Sequence, residues 1–326
     1  MSKISIGKKI FDSRFFVASS DLISTAEEAE KVIQIGGDNI GSIIWKSTTL
    51  EARKGYDAPR ICDFYDGFLV ASGLKNTGID ETIKEIRKFK AKYPNQSVII
   101  SIASVNFINS IDEFKKMAIK LKDEQIDGIE LNLSCPHQVE KEKFKTQVLA
   151  QDENLVGIIV AEVKNIFQAT NKIVIVKLTG WNADISKVSK VAEVCGADAI
   201  TVSNIFPGMG YYTGLKEYNN SFEYKVGDPL VGNFKGGYTG ILMLPATILL
   251  VNTVKNAVNI PIIATGGCMS QPDAMIQTFM AGASVVASAT FFYNKNCCEC
   301  RDFSKDLIEM RDVLKEFEKN KIIKFN

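Results

Sequence analysis

The chain has 326 residues, 46% hydrophobic and 24% charged, the balance of a globular protein with a large core rather than a disordered or fibrous one. Its 39 basic and 38 acidic residues leave a formal net charge of +1, and no segment gathers Lys and Arg among aromatics, which excludes a nucleic-acid groove. Residues 1–9 lack the apolar stretch of a leader, and no window reaches about 18 uncharged apolar residues, so the expectation is a cytoplasmic protein without a membrane span.

Short β-branched runs then alternate with longer amphipathic stretches, the pattern of a parallel sheet wrapped by helices. In chain order the predicted strands are 15–19, 42–46, 97–102, 128–133, 173–178, 199–203, 261–265 and 285–288, eight in all. Helical periodicity marks 80–92, where Ile83, Ile86 and Phe89 share a face, and 110–122, with Asp112 and Glu113 in its first turn. Further helices are expected over 154–167, 184–194, 242–257, 271–280 and 304–319. No low-complexity linker interrupts them, so residues 1–326 are read as one α/β domain, a (β/α)8 TIM barrel, a fold that tolerates this length. The competing doubly wound sheet requires a glycine-rich fingerprint after the first strand, and Ala18-Ser19-Ser20-Asp21 is not one. A weak echo, Asp127-Gly128-Ile129, Gly196-Ala197-Asp198 and Gly282-Ala283-Ser284, reads as ordinary turn chemistry between helix and strand.

In such a barrel the reacting groups sit at the C-terminal ends of the strands. There the sequence places Ser19 and Ser20, Lys46 and Ser47, Asn132 with Ser134 and Cys135, Lys177 and Thr179, Ser203 and Asn204, Thr265 with Gly266 and Gly267, and Ala289-Thr290. Gly266-Gly267 reads either as a simple turn or as a backbone cradle for a phosphate, and its place after the seventh strand favours the cradle. Lys46 and Lys177 read either as solvated strand ends or as two cations facing an anionic cofactor. In Glu130-Leu131-Asn132-Leu133-Ser134-Cys135-Pro136-His137, the alternation turns Glu130, Asn132 and Ser134 to one face. Cys135 is either a structural thiol or a proton acceptor tuned by its surroundings, and the polar segment 138–146 after it has the composition of a lid. Of the seven cysteines, Cys297, Cys298 and Cys300 cluster without further ligands nearby, so an incidental loop is expected and no metal.

These residues carry a resemblance to the dihydroorotate dehydrogenase family, and to the related pyrimidine domain of dihydropyrimidine dehydrogenase. The matching segments run in order through most of the chain: Ala18-Ser19-Ser20, Lys46-Ser47-Thr48-Thr49-Leu50-Glu51 with Pro59-Arg60, Gly73-Leu74-Lys75-Asn76-Thr77-Gly78, the octapeptide, Val176-Lys177-Leu178-Thr179, Ser203-Asn204, Gly236-Gly237-Tyr238-Thr239-Gly240, Ile263 to Gly267, and Ala281-Gly282-Ala283-Ser284. Cysteine in Asn-Leu-Ser-Cys-Pro points to the soluble class, and the Lys46–Glu51 run resembles its fumarate-using homodimers.

The resemblance implies FMN held by Ala18, Ser19, Ser20, Lys46, Ser47, Asn132, Lys177, Ser203, Gly236, Gly237, Gly266, Gly267, Ala289 and Thr290. It implies oxidation of dihydroorotate to orotate in pyrimidine biosynthesis, with Cys135 taking a proton from C5 while hydride leaves C6 for the flavin, and fumarate as acceptor. Lys46 and Cys135 would be the catalytic pair, and Lys46, Ser72, Gly73, Leu74, Asn132, His137 and Asn204 would meet the substrate; if that is dihydroorotate, either His137 or Asn76 is expected to help Asn132, Asn204 and Lys46 hold its ring. Three positions depart from the family pattern. Val70 stands where a substrate-binding Asn is expected, Ile205 where a Ser or Thr follows Asn204, and His137 where Asn follows Cys-Pro. His137 matches the dihydropyrimidine dehydrogenase form of the motif. The alternatives are therefore another dihydropyrimidine or cyclic amide of the dihydrouracil type, and a flavin-binding protein without turnover.

Overall fold

The computed structural model describes residues 3–58, 60–64, 67–135, 148–180, 184–209, 212–218, 221–227, 235–268 and 272–293, with isolated positions 312, 315, 316 and 319. His137, the segment 138–146, the cysteines 297, 298 and 300 and nearly all of the expected helix 304–319 lie outside the described residues.

Eight parallel strands close into a barrel in simple sequential order. They are β1 (Phe15–Val17), β2 (Ser42–Thr48), β3 (Val98–Ile102), β4 (Gly128–Asn132), β5 (Ile173–Leu178), β6 (Ala199–Val202), β7 (Ile262–Thr265) and β8 (Val285–Ser288). Each overlaps one predicted strand. Around them run α1 (Ala26–Gly36), α2 (Ile79–Lys92), α3 (Ser110–Leu121), α4 (Glu153–Phe167), α5 (Ile185–Val194), α6 (Leu244–Lys255), α7 (Pro272–Met280) and the short α8 (Thr290–Tyr293). Helix α1, not among the sequence expectations, starts at a capping box: Thr25 accepts from the Glu28 backbone while Glu28 returns the bond. Among the described residues no helix is long and apolar enough to cross a membrane.

Strand parity decides what faces the lumen. One cluster of buried side chains holds Phe15, Val17, Ile43, Trp45, Ile129, Leu131, Val174 and Val176 together with the helices, so these positions point outward. A second holds Phe16, Ala18, Ile44, Ile99, Ile175, Ile263 and Ala287, the alternate positions, which fill the barrel from within. An antiparallel hairpin, Ile4–Ile6 with Lys9–Phe11, adds Ile4, Ile6 and Phe11 to that inner cluster and plugs the end away from the reacting groups, with Phe11 and Phe16 rings 5.0 Å apart.

The sequence echo before three strands has a structural reason beyond helix termination. Asp127 donates its N–H to Val98 O at 2.8 Å and accepts the Val98 N–H on its carboxylate at 3.0 Å, clamping the start of β3. Asp198 does the same to Val174 at the start of β5, at 2.8 and 2.7 Å, and Ser284 to Ile262 at the start of β7, at 2.8 and 3.4 Å. Gly196 and Gly282 precede two of these clamps at φ of 101° and 114°, a region that glycine enters without steric cost.

A second sheet was not legible in the pattern. Four antiparallel strands, ordered Phe206–Met209, Lys235–Gly240, Gly67–Val70 and Ile61–Phe64, come from three parts of the chain. Their contribution to the cavity, described below, places this sheet at the barrel mouth.

Candidate active site

Parity continues past the apolar layer. Two residues beyond Ile44 stands Lys46, beyond Ile175 stands Lys177 and beyond Ile99 stands Ser101, while Glu130 and Asn132 alternate with the outward Ile129 and Leu131. The lumen thus changes from hydrocarbon to polar toward the C-terminal ends of the strands, as the sequence led one to expect.

A cavity of about 1140 Å3, open mouth included, occupies that end. It gathers Ala18, Ser19, Ser20, Lys46, Ser47, Ser72, Leu74, Asn132, Cys135, Lys177, Ser203, Asn204, Gly266, Ala289 and Thr290 from the expected set. Gly73, Gly236, Gly237 and Gly267 are not part of its lining. Gly73 instead shapes the turn, at φ 61°, that presents Leu74, which has a positive φ of 54° itself and packs against Ala103 and Cys135. Asn76 is no holder of a ring: its amide oxygen accepts from Thr48, Thr49 and the Gly78 N–H, and its nitrogen donates to Thr49 and the Leu74 carbonyl. Its capacity is used within the loop.

The polar floor is one connected network. Ser19 Oγ lies 3.2 Å from Ser47 Oγ, which also meets Ser101 Oγ at 2.8 Å and accepts from Asn132 Nδ2 at 3.0 Å. Asn204 Nδ2 donates to Asn132 Oδ1 at 3.3 Å, and Ser134 Oγ donates to the Lys177 carbonyl at 2.8 Å. Such mutual bonding fixes the amide orientations before any ligand arrives. Behind the floor Glu130 is fully buried: Oε2 accepts from Thr201 at 3.0 Å, and Oε1 faces Lys177 Nζ at 3.7 Å. Among the described residues Ser203 Oγ and Glu130 Oε1 are buried without a hydrogen-bond partner.

Sequence reasoning passed over Asp21, Ile61, Phe68, Met243 and Ser288, all of which line the cavity. Asp21 directly follows Ala18-Ser19-Ser20, and its carboxylate contacts Lys46 Nζ. Burial lowers the Lys46 ammonium from the ordinary 10.5 to about 8; the Lys75 charge pushes the same way, Cys135 opposes it, and Arg60 adds to the lowering. Phe68 had a legible signal, since it shares a strand face with Val70 two residues on.

The second sheet roofs this floor. Ile61 pairs with Val70, and Val70 with Gly237, so the register runs across three strands. Ile61, Phe68, Val70 and Ile205 line the cavity from this side. Gly237 makes room for Ile205: an added Cβ would stand 2.2 Å from Ile205 Cδ1. Among the described residues no group of His, Cys, Asp or Glu is arranged to hold a metal ion. A polar floor with two lysines and a buried thiol, under an apolar roof, suits a flat ligand with a polar edge and a small ring stacked above it.

Comparison with known proteins agrees with this geometry. The family profile described as dihydroorotate dehydrogenase matches residues 2–310. A protein of Alkaliphilus metalliredigens named dihydroorotate dehydrogenase B (NAD(+)), catalytic subunit, is 32% identical over 253 residues, 78% of this chain and 76% of its own length. Proteins with the same printed name from Thermoanaerobacter sp. and Pyrococcus abyssi are 34% and 30% identical, covering 80% and 91% of this chain and 78% and 89% of theirs.

Proposed function

The chain belongs to the dihydroorotate dehydrogenase family, oxidoreductases acting on a CH–CH group, and from that premise we propose that it dehydrogenates a dihydropyrimidine ring with bound FMN. The observation that carries the reading is that Cys135, Lys46, Asn132, Lys177 and Asn204, from the ends of four separate strands, line one cavity.

The residues fit the flavin. Ser203 Oγ and Glu130 Oε1 are buried without hydrogen-bond partners among the described residues, and Ser203 lines the cavity itself. Gly266, which lines the cavity, turns at a φ of 111°, where its backbone would meet a phosphate after β7. Ala18, Ser19, Ser20, Ser47, Ala289 and Thr290 complete the cradle. FMN, when bound, supplies the hydride acceptor. Lys177 and Lys46 place positive charge beside the ring system that gains electron density.

Cys135 holds the place of the base. It is buried, beside Leu74 and Ala103, and accepts the proton from the ring carbon next to the one that loses hydride. Asn132 and Asn204, fixed by their mutual bond, orient the ring amides, with Lys46 at its edge. The names of the relatives support NAD(+) as final acceptor in place of the fumarate expected from the Lys46–Glu51 run. They also support a catalytic subunit working with a second subunit rather than the self-sufficient homodimer expected from sequence.

The test is the visible spectrum of the purified protein, followed anaerobically as dihydroorotate and then dihydrouracil are added, with the acid-released cofactor chromatographed. FMN bleached by at least one ring is the expected result. A colourless protein that FMN does not reconstitute, or a flavin that neither ring reduces, overturns the reading.

A further inference from the structure

The lumen of a barrel is ordinarily packed with hydrocarbon, and here Phe16, Ile44, Ile99, Ile175 and Ile263 follow that rule. Glu130 breaks it. In the strand register it stands level with Ile175, two residues before Asn132, and its side chain has no exposure. Thr201 Oγ1 donates to Oε2 at 3.0 Å, and Lys177 Nζ stands 3.7 Å from Oε1, which has no hydrogen-bond partner among the described residues. A carboxylate so far from water is costly, and an ammonium just beyond hydrogen-bond reach offsets that cost incompletely. Hydrocarbon of like volume commonly fills such a place without loss of stability, so packing does not account for the acid.

What Glu130 can act on is narrow. Neither Glu130 nor Thr201 lines the cavity, whereas Lys177 does. Lys177 is level with Asn132 on one neighbouring strand and with Thr201 on the other, so its side chain joins the carboxylate behind the floor to the ligand space. In an interior closed to water the two charges are little screened. A ligand on the floor therefore meets an ammonium whose field is partly cancelled from behind. Asp21, Lys46 and Cys135 also line the cavity, and a substitution at Glu130 leaves all three in place.

We propose that Glu130 is a positioning residue that sets the redox poise of the bound flavin through Lys177. The proposal rests on the FMN-dependent reading above and deepens it, from which cofactor is held to how strongly that cofactor attracts electrons. Hydride uptake brings two electrons and one proton to the flavin, which becomes one unit more negative. An ammonium beside the ring system favours that form, and a carboxylate behind the ammonium opposes it. With Glu130 in place the reduced flavin is stabilised less, and it gives its electron pair to the acceptor more readily.

The experiment uses the FMN-loaded protein, reduced anaerobically by dithionite in equilibrium with a reference dye, so that no ring substrate takes part. Midpoint potentials are compared for the native chain, Glu130→Gln and Glu130→Met, together with the affinity of each for oxidised FMN. Glutamine keeps the shape and can still bond Thr201 and face Lys177, since the hydroxyl accepts as well as donates. Both neutral variants are expected to favour reduced over oxidised flavin about tenfold more than the native chain does, a rise of about 30 mV for the two-electron couple. Affinity for oxidised FMN should stay within about threefold of native. An unchanged or lowered potential in either variant that retains flavin overturns the proposal. Loss of flavin or of folding in both does so too, because it makes Glu130 a structural member of the barrel. Failure of the broader reading is seen separately: native flavin that neither dihydroorotate nor dihydrouracil reduces removes the dehydrogenase while the potentials still decide the role of Glu130, and a native chain that binds no FMN ends both.

Discussion

Ile205 occupies the space that a side chain at Gly237 would need, the two positions meeting at 2.2 Å if a Cβ is added. This links the end of β6 to the roof sheet and sets the height of Ile205 above the polar floor. Gly237→Ala is therefore expected to push Ile205 into the ring space. Flavin content should stay near native, because Gly237 does not line the cavity, while KM for the ring rises about tenfold. Adding Ile205→Ala should restore much of the loss. If Gly237→Ala instead loses flavin and Ile205→Ala does not rescue it, the glycine serves the cofactor, as the family resemblance implies.

Cys135→Ala should bind flavin like the native chain and lose reduction by substrate by roughly 10² to 10⁴, the usual worth of a positioned base. Stopped-flow reduction under anaerobic conditions measures it directly. A variant reduced at the native rate would move the base elsewhere, with His137 the first place to look.

Lys46 gives the site a pH dependence whose sign can be worked out. Its folded value of about 8 lies below the ordinary 10.5, so between those two pH values the folded chain has released a proton that the unfolded chain keeps. Stability therefore rises with pH across that window, and the penalty for burying the charge is fully present below about 8. Ring binding that uses the ammonium runs the other way, complete below that pH and fading above it. Uracil affinity should fall above pH 8 in the native chain and stay level in Lys46→Arg, whose guanidinium does not titrate there. A level native profile would remove Lys46 from the ring contacts.

What the sequence made legible follows from how each part is built. The barrel strands are continuous β-branched runs buried on both sides, so β5 at Ile173–Leu178 and β8 at Val285–Ser288 could be read to the residue. The floor was legible for the same reason, since parity within one run carries Ile44 to Lys46 and Ile175 to Lys177. The roof was not. Its four short strands are scattered over 61–64, 67–70, 206–209 and 235–240, and only their pairing brings Ile61, Val70 and Ile205 together. Asp21 was hidden differently: an acid after a strand looks like any capping residue until its contact with Lys46 is seen.

The clamps beneath the barrel predict a stability effect distant from the site. Asp198 accepts the Val174 N–H at 2.7 Å and pairs with Lys164, and its side chain is mostly buried. Asp198→Ala leaves that N–H unsatisfied, which should cost about 1 to 3 kcal/mol in urea denaturation while leaving the flavin spectrum unchanged. A smaller loss would mean that water replaces the carboxylate at the strand start.

The roof supplies the last prediction. Val70 and Ile205 put hydrocarbon where the family pattern places a ring-binding Asn and a Ser or Thr, and the structure sets both on one side of the cavity with Ile61 and Phe68. Val70→Asn with Ile205→Thr gives the roof donors and acceptors that a ring carboxylate can use. One recovered hydrogen bond near 1.4 kcal/mol is a factor of ten, so KM for dihydroorotate should fall about tenfold or more. The neutral ring should gain less if, as proposed, Asn132 and Asn204 serve its amides from the floor. Both side chains are partly exposed, so the polar replacements leave no buried group stranded, and flavin content checks the fold. A double variant that loses turnover on both rings and gains none on dihydroorotate would mean that the roof acts by packing alone.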